Sequence, residues 1–497
     1  MTLRSFRRSP PTPRRARRSR LAVLLLGVAG GALPGAVGAQ RTTTPAPRAA
    51  PGAAPADSAR VAAYVTTFDS AWRLVYERHF DSTFTGVDWI ALRDELRPRA
   101  AAARDEEELR AVIRGMLQRL RQSHFALIPR QAADGMDDAA AAGGVGAAGQ
   151  KKPAGAAGVP GDAGLALRVV DGAFVVARVD PDGAAARAGV RPGWVVRRVG
   201  GAAVDDLLRA IPRDMAERQA RARATLRAAA LFDGPAGTPV TVELVDGGGR
   251  ALTRTLVRTP ERGEPVKFGN LPPLYTSFER ERLAGPGGTT VGVLRFNVWM
   301  AAIAGPFAEA VDVFRDADGI VVDLRGNPGG VGALVMGTAG QFLDSTVSLG
   351  TMRTRSSELH FVANPRRVSP AGRRVRPYDG PVVVLVDGLS GSTSELFAGG
   401  MQAVGRARVV GDTSAGQALP ALMQRLPNGD VLYHAVADFF TPRGDRIEGR
   451  GVIPDDVVPL TRRDLLAGRD PQLAAALRWI AERKGRATTD LTHRSIP

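Results

Sequence analysis

The 497-residue chain contains no cysteine. This absence excludes disulfide bonds, thiolate metal sites, a cysteine nucleophile and a lipid anchor on an amino-terminal cysteine. Aromatic residues make up only 5% of the chain, and histidine occurs five times. The histidines and acidic residues show no spacing typical of a metal site. The nucleophile of any catalytic site must therefore be a residue other than cysteine.

Lysine is nearly absent as well, with four among the 67 basic residues, while the formal net charge is +17. The arginines are spread along the chain and form no basic stripe interleaved with aromatic residues. Nucleic-acid binding is therefore not expected. Eight arginines and no acidic residue fall within the first 20 positions.

Residues 1–39 have the pattern of a secretory signal peptide. A basic run ends at Arg20, the apolar stretch LAVLLLGVAGGAL follows, and small residues precede a cleavage point near Ala39. The apolar stretch is too short to span a bilayer comfortably, although an uncleaved anchor is the alternative. We expect an exported protein, periplasmic or extracellular, that is soluble and has no stable membrane span after cleavage.

Composition and periodicity divide the rest of the chain into segments of different character. They are a disordered spacer (40–57), a helical amino-terminal domain (58–130), an Ala/Gly-rich linker (131–162), a domain of short strands (163–260), an α/β region (261–462) and a carboxyl-terminal helix and tail (463–497). The linker contains GVGAAG, which matches a dinucleotide-binding motif. No strand precedes it, so a dinucleotide site is rejected.

From about Gly292 onwards, apolar strand patterns alternate with helical patterns. This alternation predicts an α/β core with a mostly parallel sheet and helices on its faces. Sites in such sheets form at the carboxyl ends of strands. Two glycine-containing segments, DLRGNPGG (323–330) and GLSGSTSE (388–395), fall at such positions.

Each of these two segments allows a structural and a chemical interpretation. The glycine segment is either a tight turn or a loop whose N–H groups approach an oxyanion. A phosphate loop would continue with lysine and a hydroxyl residue, and this chain has Val331-Gly332 instead. The serine segment is either a capped helix start or a nucleophile beside helix N–H groups that stabilise an oxyanion.

Three segments together closely resemble the carboxyl-terminal processing peptidases: DLRGNPGG, GSTSELFAGGMQAVGRARVVGDTSAG and FFTPRGDRIEGRGVIPD. The resemblance spans roughly residues 65–460. It implies a ClpP/crotonase-like core and a PDZ domain, with Gly164, Leu165, Ala166 and Leu167 as the carboxylate-binding loop. It also implies that Ser392 is the nucleophile, with an oxyanion hole made by the N–H of Thr393 and of a glycine in the Gly329-Gly330 pair.

The chain differs from this family at the position of the catalytic general base. Gln417 stands where the serine–lysine members have their lysine, and an amide does not titrate usefully. The pair Ser123-His124 instead resembles the "SH" of tricorn-type core proteases, which share the fold but use serine with histidine. The resemblance implies His124 as general base, with Ser123 and Glu448 as orienting partners. A structural role at a helix end for His124, and pairing of Glu448 with a neighbouring arginine, are the alternatives.

These features predict an exported serine endopeptidase that hydrolyses peptide bonds near protein C-termini through a Ser392 acyl-enzyme. Its partner would be a protein or peptide substrate, engaged by its C-terminus as an added strand of the PDZ domain. No cofactor is implied. One rival is a non-catalytic PDZ-containing peptide-binding protein that has lost the serine–lysine dyad. A second is a tricorn-like peptidase that trims small peptides.

Overall fold

The computed structural model describes residues 55–131, 159–210, 217–266 and 274–494. The predicted signal peptide, nearly all of the spacer and most of the Ala/Gly-rich linker lie outside the described residues. Within the described ranges, no helix combines the length and the apolar character needed to cross a membrane.

The first described region is helical and ends in a short strand. Asp88 and Asp105 cap the second and third helices, since each carboxylate accepts the N–H of the residue three positions later. Phe68, Trp89 and Ile113 are fully or almost fully buried where the helices meet. The elements are α1 (Pro55–Arg78), α2 (Trp89–Ala101), α3 (Glu106–Gln118) and β1 (Ala126–Ile128). Helix α1 thus begins inside the predicted spacer.

The second region contains an antiparallel sheet in the order β3-β4-β5-β8-β9, so β3 lies at an edge. Helix α6 packs against this edge strand. Strand β2 lies inside the predicted linker. It forms a strand there by pairing with β7 and β10. The elements are β2 (Pro160–Asp162), β3 (Leu165–Val170), β4 (Ala173–Val179), α4 (Ala184–Arg187), β5 (Val195–Val199), β6 (Ala202–Ala203), α5 (Asp205–Arg209), α6 (Glu217–Ala230), β7 (Gly234–Pro235), β8 (Pro239–Val245), β9 (Ala251–Val257) and β10 (Thr259–Pro260).

The third region is the α/β core. Its elements are β11 (Glu264–Val266), β12 (Leu274–Thr276), β13 (Phe278–Ala284), β14 (Thr290–Phe296), α7 (Ala304–Val313), β15 (Gly319–Asp323), α8 (Leu334–Ala339), β16 (Val347–Arg353), β17 (Glu358–Ala363), β18 (Val382–Val386), α9 (Thr393–Ala403), β19 (Arg408–Gly411), β20 (Ala421–Arg425), β21 (Val431–Ala435), β22 (Asp438–Phe440), β23 (Asp456–Val457), α10 (Arg462–Leu466) and α11 (Pro471–Arg494).

The core is a mixed α/β structure, with parallel pairings in its central sheet and antiparallel sheets beside it. Its central sheet, ordered β13-β14-β15-β18-β19-β23, has an antiparallel edge strand beside parallel pairings. Two smaller sheets, β17-β16-β22 and β1-β21-β20, are antiparallel throughout. The physical reason is that β16/β17 and β20/β21 are joined by short connections, which permit only antiparallel pairing.

Both faces of the central sheet are covered, and this explains its continuous apolar strands. Phe307 of α7 and Phe397 of α9 pack in the cluster on one face. Ile480 of α11 packs with Val321 and Val383 on the other. The carboxyl-terminal helix therefore helps to bury the sheet that positions the serine segment.

The helical region is joined to the core by shared sheet structure. Strand β1 pairs antiparallel with β21, with Leu127 opposite Leu432. Next to this ladder, the Asp430 carboxylate is completely buried and accepts two hydrogen bonds of 2.9 Å from the Arg110 guanidinium. The Arg130 N–H donates to the same carboxylate at 2.7 Å. Ser123 and His124 directly precede β1, so this pairing sets their position.

Truncating Arg110 should loosen this junction. We expect Arg110→Ala to lower the free energy of unfolding by about 3–5 kcal/mol, because Asp430 would remain as a buried charge without its cation. The matched control is Arg99→Ala, which removes an exposed arginine 3.7 Å from Glu95 and should cost less than about 1 kcal/mol. Urea unfolding followed by tryptophan fluorescence measures both, and equal losses would contradict the prediction.

Candidate active site

Ser392 stands at the start of α9, six residues after β18 ends. Its backbone has φ 52° and ψ −120°, a conformation that a non-glycine residue adopts only where the surrounding structure imposes it. The residue is half-buried, whereas Ser390 and Ser394 are fully buried. Of the three serines in this segment, Ser392 is thus the one with solvent-accessible surface.

The other two serines hold the serine segment against the glycine segment. The Ser390 hydroxyl donates to the Leu324 carbonyl at 2.8 Å. The Ser394 hydroxyl donates to the Asn327 carbonyl at 3.0 Å and accepts from the Trp299 indole at 2.9 Å. Their hydroxyl groups are therefore engaged in structural hydrogen bonds.

The glycine segment approaches Ser392 too closely for a side chain. A Cβ added to Gly329 would lie 2.6 Å from the Ser392 Cβ, and one added to Gly330 would lie 2.2 Å from the Trp299 carbonyl oxygen. Both glycines also have positive φ, at 108° and 142°. Close approach and backbone conformation together account for the Gly-Gly pair.

Two backbone N–H groups near Ser392 are candidates for binding an oxyanion. The Gly329 N–H already donates to the Asn327 side chain at 3.0 Å. The N–H groups of Gly330 and Thr393 have no acceptor among the described residues, as expected for Thr393 in the first turn of a helix. The Thr393 hydroxyl donates to the Gly330 carbonyl at 2.9 Å, which ties the two segments together.

Asp387 and Asp323 stabilise the loops around these N–H groups. The Asp387 carboxylate accepts the N–H groups of Gly326 and Leu389, one from each segment. Burial alone would raise the pKa of Asp323, but Arg295 and Arg325 hold that pKa well below its usual range. Sequence reasoning missed both aspartates because strand-end acids carry no local signal of which loops they will join.

His124 lies in a chain of three hydrogen-bonded side chains. Its Nδ1 lies 2.6 Å from the Ser123 hydroxyl, which donates to Glu448 Oε2 at 2.9 Å. Glu448 Oε1 also accepts the Ser123 N–H at 3.0 Å. The structure thus brings together Ser123, His124 and Glu448, three residues that the sequence predicted as partners, from two regions of the chain.

The direction of these hydrogen bonds determines the histidine tautomer. The single Ser123 hydroxyl proton points to the Glu448 carboxylate, so the Ser123 oxygen accepts from His124 Nδ1–H. His124 Nε2 is then left with a lone pair that can accept a proton. Desolvation of the half-buried imidazole lowers the pKa of His124 to about 4, which keeps the ring neutral at physiological pH.

Two consecutive residues connect this chain to the serine segment. The Gln417 carbonyl accepts the Ser392 N–H at 2.8 Å, and the Ala418 N–H donates to Glu448 Oε2 at 2.9 Å. The helix start that carries Ser392 and the carboxylate that orients Ser123 therefore hold neighbouring peptide groups. Gln417 contributes its backbone to this connection.

Glu395 is a second buried carboxylate that sequence reasoning did not assign. Its oxygens accept the N–H groups of Ser392, Gly416 and Gln417 and the Ser414 hydroxyl, over 2.5–3.0 Å. Burial raises the pKa of Glu395 to about 7, against the opposing effect of these donors. The sequence signal that could have identified Glu395 was its place directly after the three spaced serines. Its contacts make Glu395 a positioning residue.

The predicted carboxylate-binding loop lies elsewhere, at the start of edge strand β3. Gly164 has φ 67°, and a Cβ there would lie 2.7 Å from the Gly183 Cα. Leu165 and Leu167 are buried, and Ala166 is half-buried between them. A cleft of about 710 Å³ runs between β3 and α6 and reaches the core near Gly326 and Asp387.

Nucleophilic serine chemistry is the class of reaction that this arrangement fits, because the backbone of residues 417 and 418 links a strained serine to a hydrogen-bonded chain that ends in a neutral imidazole. Comparison with known proteins agrees. Residues 290–458 match the model of peptidase family S41, and residues 61–118 match that of the tricorn protease C1 domain. Over these residues the chain is therefore similar to serine peptidases, and the relatives below include carboxyl-terminal-processing proteases.

Two curated relatives and one solved structure illustrate the similarity. A carboxyl-terminal-processing protease of Synechocystis is 28% identical over 260 residues, covering 50% of this chain and 55% of the relative. Tricorn protease homolog 1 of Streptomyces coelicolor is 25% identical over 432 residues, covering 82% of this chain and 34% of the relative. The chain thus spans about half or less of their lengths. The photosystem II D1 C-terminal processing protease shares the fold, with a TM-score of 0.54, 22% identity and coverage of 84% and 96%.

Replacing Glu395 by glutamine should destabilise the site. An amide presents one acceptor and one donor group where the carboxylate meets four donors, so at least one buried N–H is left unsatisfied. We expect Glu395→Gln to lower the free energy of unfolding by about 2 kcal/mol. Glu358→Gln, at a half-exposed ion pair with Arg353, is the matched control and should cost less than about 1 kcal/mol. Urea unfolding measures both, and equal losses would contradict the assigned role.

Proposed function

We propose that this protein is an exported serine endopeptidase that cleaves peptide bonds near the C-termini of protein substrates. Ser392 is the nucleophile and His124 is the general base, in place of the lysine that Gln417 replaces. The observation that carries the proposal is the hydrogen-bonded chain Glu448–Ser123–His124, attached to the Ser392 helix start through residues 417 and 418.

The proposed reaction proceeds through an acyl-enzyme. The Ser392 hydroxyl oxygen attacks the peptide carbonyl carbon while its proton passes to His124 Nε2. The carbonyl oxygen becomes an oxyanion that accepts from the N–H groups of Gly330 and Thr393. His124 then returns the proton to the leaving amine as the C–N bond breaks. Water, deprotonated by His124, hydrolyses the ester and restores Ser392.

Ser123 and Glu448 act through the histidine. The Ser123 oxygen fixes the Nδ1–H tautomer, and the Glu448 charge stabilises the imidazolium that forms during attack. Burial raises the pKa of Glu448, while donors from Ser123 and Ala418 oppose that rise. The carboxylate form is the one that suits the role, since it alone accepts the Ser123 hydroxyl proton and both N–H groups.

Strand β3 supports the proposed mode of substrate binding. It is an edge strand with α6 packed opposite, so an extended peptide can add to it within the cleft between them. The peptide's terminal carboxylate would meet the N–H groups of the segment Gly164 to Leu167. This is the arrangement expected of a PDZ domain, and export follows from the predicted signal peptide.

Labelling by a serine-directed fluorophosphonate tests the nucleophile and the base together. We expect wild type to be labelled, Ser392→Ala to be unlabelled and His124→Ala to be labelled at least about 100-fold more slowly, since a positioned base contributes about that factor or more. Gln417→Ala should label at nearly the wild-type rate, because its contacts are made by the backbone.

The same experiment separates the rival assignments. Full-rate labelling of His124→Ala would refute the histidine as base. An unlabelled wild type that still binds peptides would support the non-catalytic peptide-binding protein instead. The far-ultraviolet circular dichroism of each variant serves as the folding control.

The pH dependence of kcat/KM should reflect the desolvated histidine. Only neutral His124 can accept a proton, and its pKa is lowered to about 4. We therefore expect activity to hold as the pH falls through 6.5 and to decline towards pH 4. Unfolded chains protonate this histidine near pH 6.5, so its contribution to stability is present above pH 6.5 and is lost as pH falls towards 4. Fluorescence at each pH separates unfolding from inactivation, and an acid limb near 6.5 in folded protein would contradict the prediction.

A further inference from the structure

A large cleft leads to the histidine from the side of the helical region. It has a volume of about 1370 Å³ and lies between α2 and α3, helix α6 and the core. Its walls include Ser123, His124, Gln417 and Glu448. A substrate segment bound beside His124 would therefore lie within this cleft.

Arginines from two regions line the cleft. Arg223 and Arg227 project from α6 one helical turn apart, and Arg114 of α3 contributes to another wall. Both α6 arginines are half-buried. Like charges at this spacing repel each other, so an anion placed between them would gain from both.

Among the described residues, Arg223 lacks a carboxylate partner and Arg114 lacks a hydrogen-bond acceptor for one of its nitrogens. Arg223 forms no ion pair there, and burial together with the Arg227 charge lowers its pKa. Arg114 pairs with Glu107 through Nη1 at 2.7 Å, but its Nη2 is buried and has no hydrogen-bond partner among the described residues. A carboxylate bound beside Arg223 would supply the ion pair that this guanidinium lacks among the described residues.

The carboxylates that line the cleft are already engaged by protein groups. Asp81 accepts from Thr83 and Thr85, Asp88 caps Ala91, Glu95 faces Arg99 and Arg119, Asp438 pairs with Arg446, and Glu448 holds Ser123. Among the described residues, six arginines and these five carboxylates line the cleft, so its formal charge is 6 − 5 = +1.

We propose that this cleft binds acidic peptide segments, with a glutamate or aspartate side chain of the substrate held between Arg223 and Arg227 of α6. The inference deepens the proposed function, because it names the class of substrate that reaches Ser392. Guanidinium groups bind carboxylates through charge-assisted, often bidentate hydrogen bonds, which gives such a contact both affinity and direction.

Peptide binding to the full-length Ser392→Ala protein tests the inference without requiring cleavage. Fluorescein-labelled peptides with amidated C-termini would carry Glu, Gln or Lys at one position, scanned along the peptide. At one position we expect Glu to bind about tenfold more tightly than Gln, the discrimination of one charge-assisted contact, and Lys to bind more weakly than Gln. The preference should weaken with added salt.

Variants of the two arginines assign the preference to this cleft. In Arg223→Gln/Arg227→Gln the Glu and Gln peptides should bind equally, and in Arg223→Lys/Arg227→Lys the preference should persist. The matched control is Arg209→Gln, which removes an exposed arginine paired with Asp206 on neighbouring α5 and outside the cleft lining. It should leave the preference unchanged.

Each contrary outcome overturns the inference in a recognisable way. Equal affinity of Glu and Gln peptides at every position refutes it, and a preference that survives the double glutamine variant removes it from these arginines. Preference that appears only in peptides with a free C-terminus would show that a terminal carboxylate is recognised instead of a side chain. If wild type cleaves neither these peptides nor their counterparts with a free C-terminus while the Glu preference holds, the proposed function fails and the binding of acidic segments in this cleft stands.

Discussion

The pairing of β1 with β21 is the constraint on which the rest of the site depends. It places the end of a helical region in the same sheet as two core strands, and the Arg110–Asp430 ion pair reinforces that junction. The His124 ring lies 5.6 Å from the Tyr433 ring of the partner strand, centroid to centroid. Without this ladder, Ser123 and His124 would belong to a separate helical unit with no fixed relation to Ser392.

Residues 414–418 form the second organising element, because two buried carboxylates hold them from either side. Glu395 accepts the N–H groups of Gly416 and Gln417, and Glu448 accepts that of Ala418. The two carboxylates are close enough that the charge of Glu448 contributes to raising the pKa of Glu395. The backbone of this segment connects the Ser392 turn to the hydrogen-bonded chain Glu448–Ser123–His124.

Local patterns were sufficient for some features and insufficient for others. The family resemblance singled out Ser392 among three serines, because the motif that carries the resemblance is a local order of residues. In the structure Ser390 and Ser394 are fully buried. The antiparallel sheets beside the central sheet were not predicted, because the alternation of strands and helices does not reveal which short strands fold back on each other. Asp387 and Glu395 were missed because their roles consist of hydrogen bonds to residues distant in sequence or in adjacent loops, which no spacing encodes.

The sequence by itself determined the absence of thiol chemistry, the amide at position 417, the glycine pair and the serine at a helix start, since each of these is a property of residue identity and local order. Only the tertiary structure decided that Ser123, His124 and Glu448 form one hydrogen-bonded chain and that it meets the serine segment at residues 417 and 418. The physical reason is that the Ser123–Glu448 contacts join residues 325 positions apart, so they arise from strand pairing and buried charge and not from any pattern along the chain.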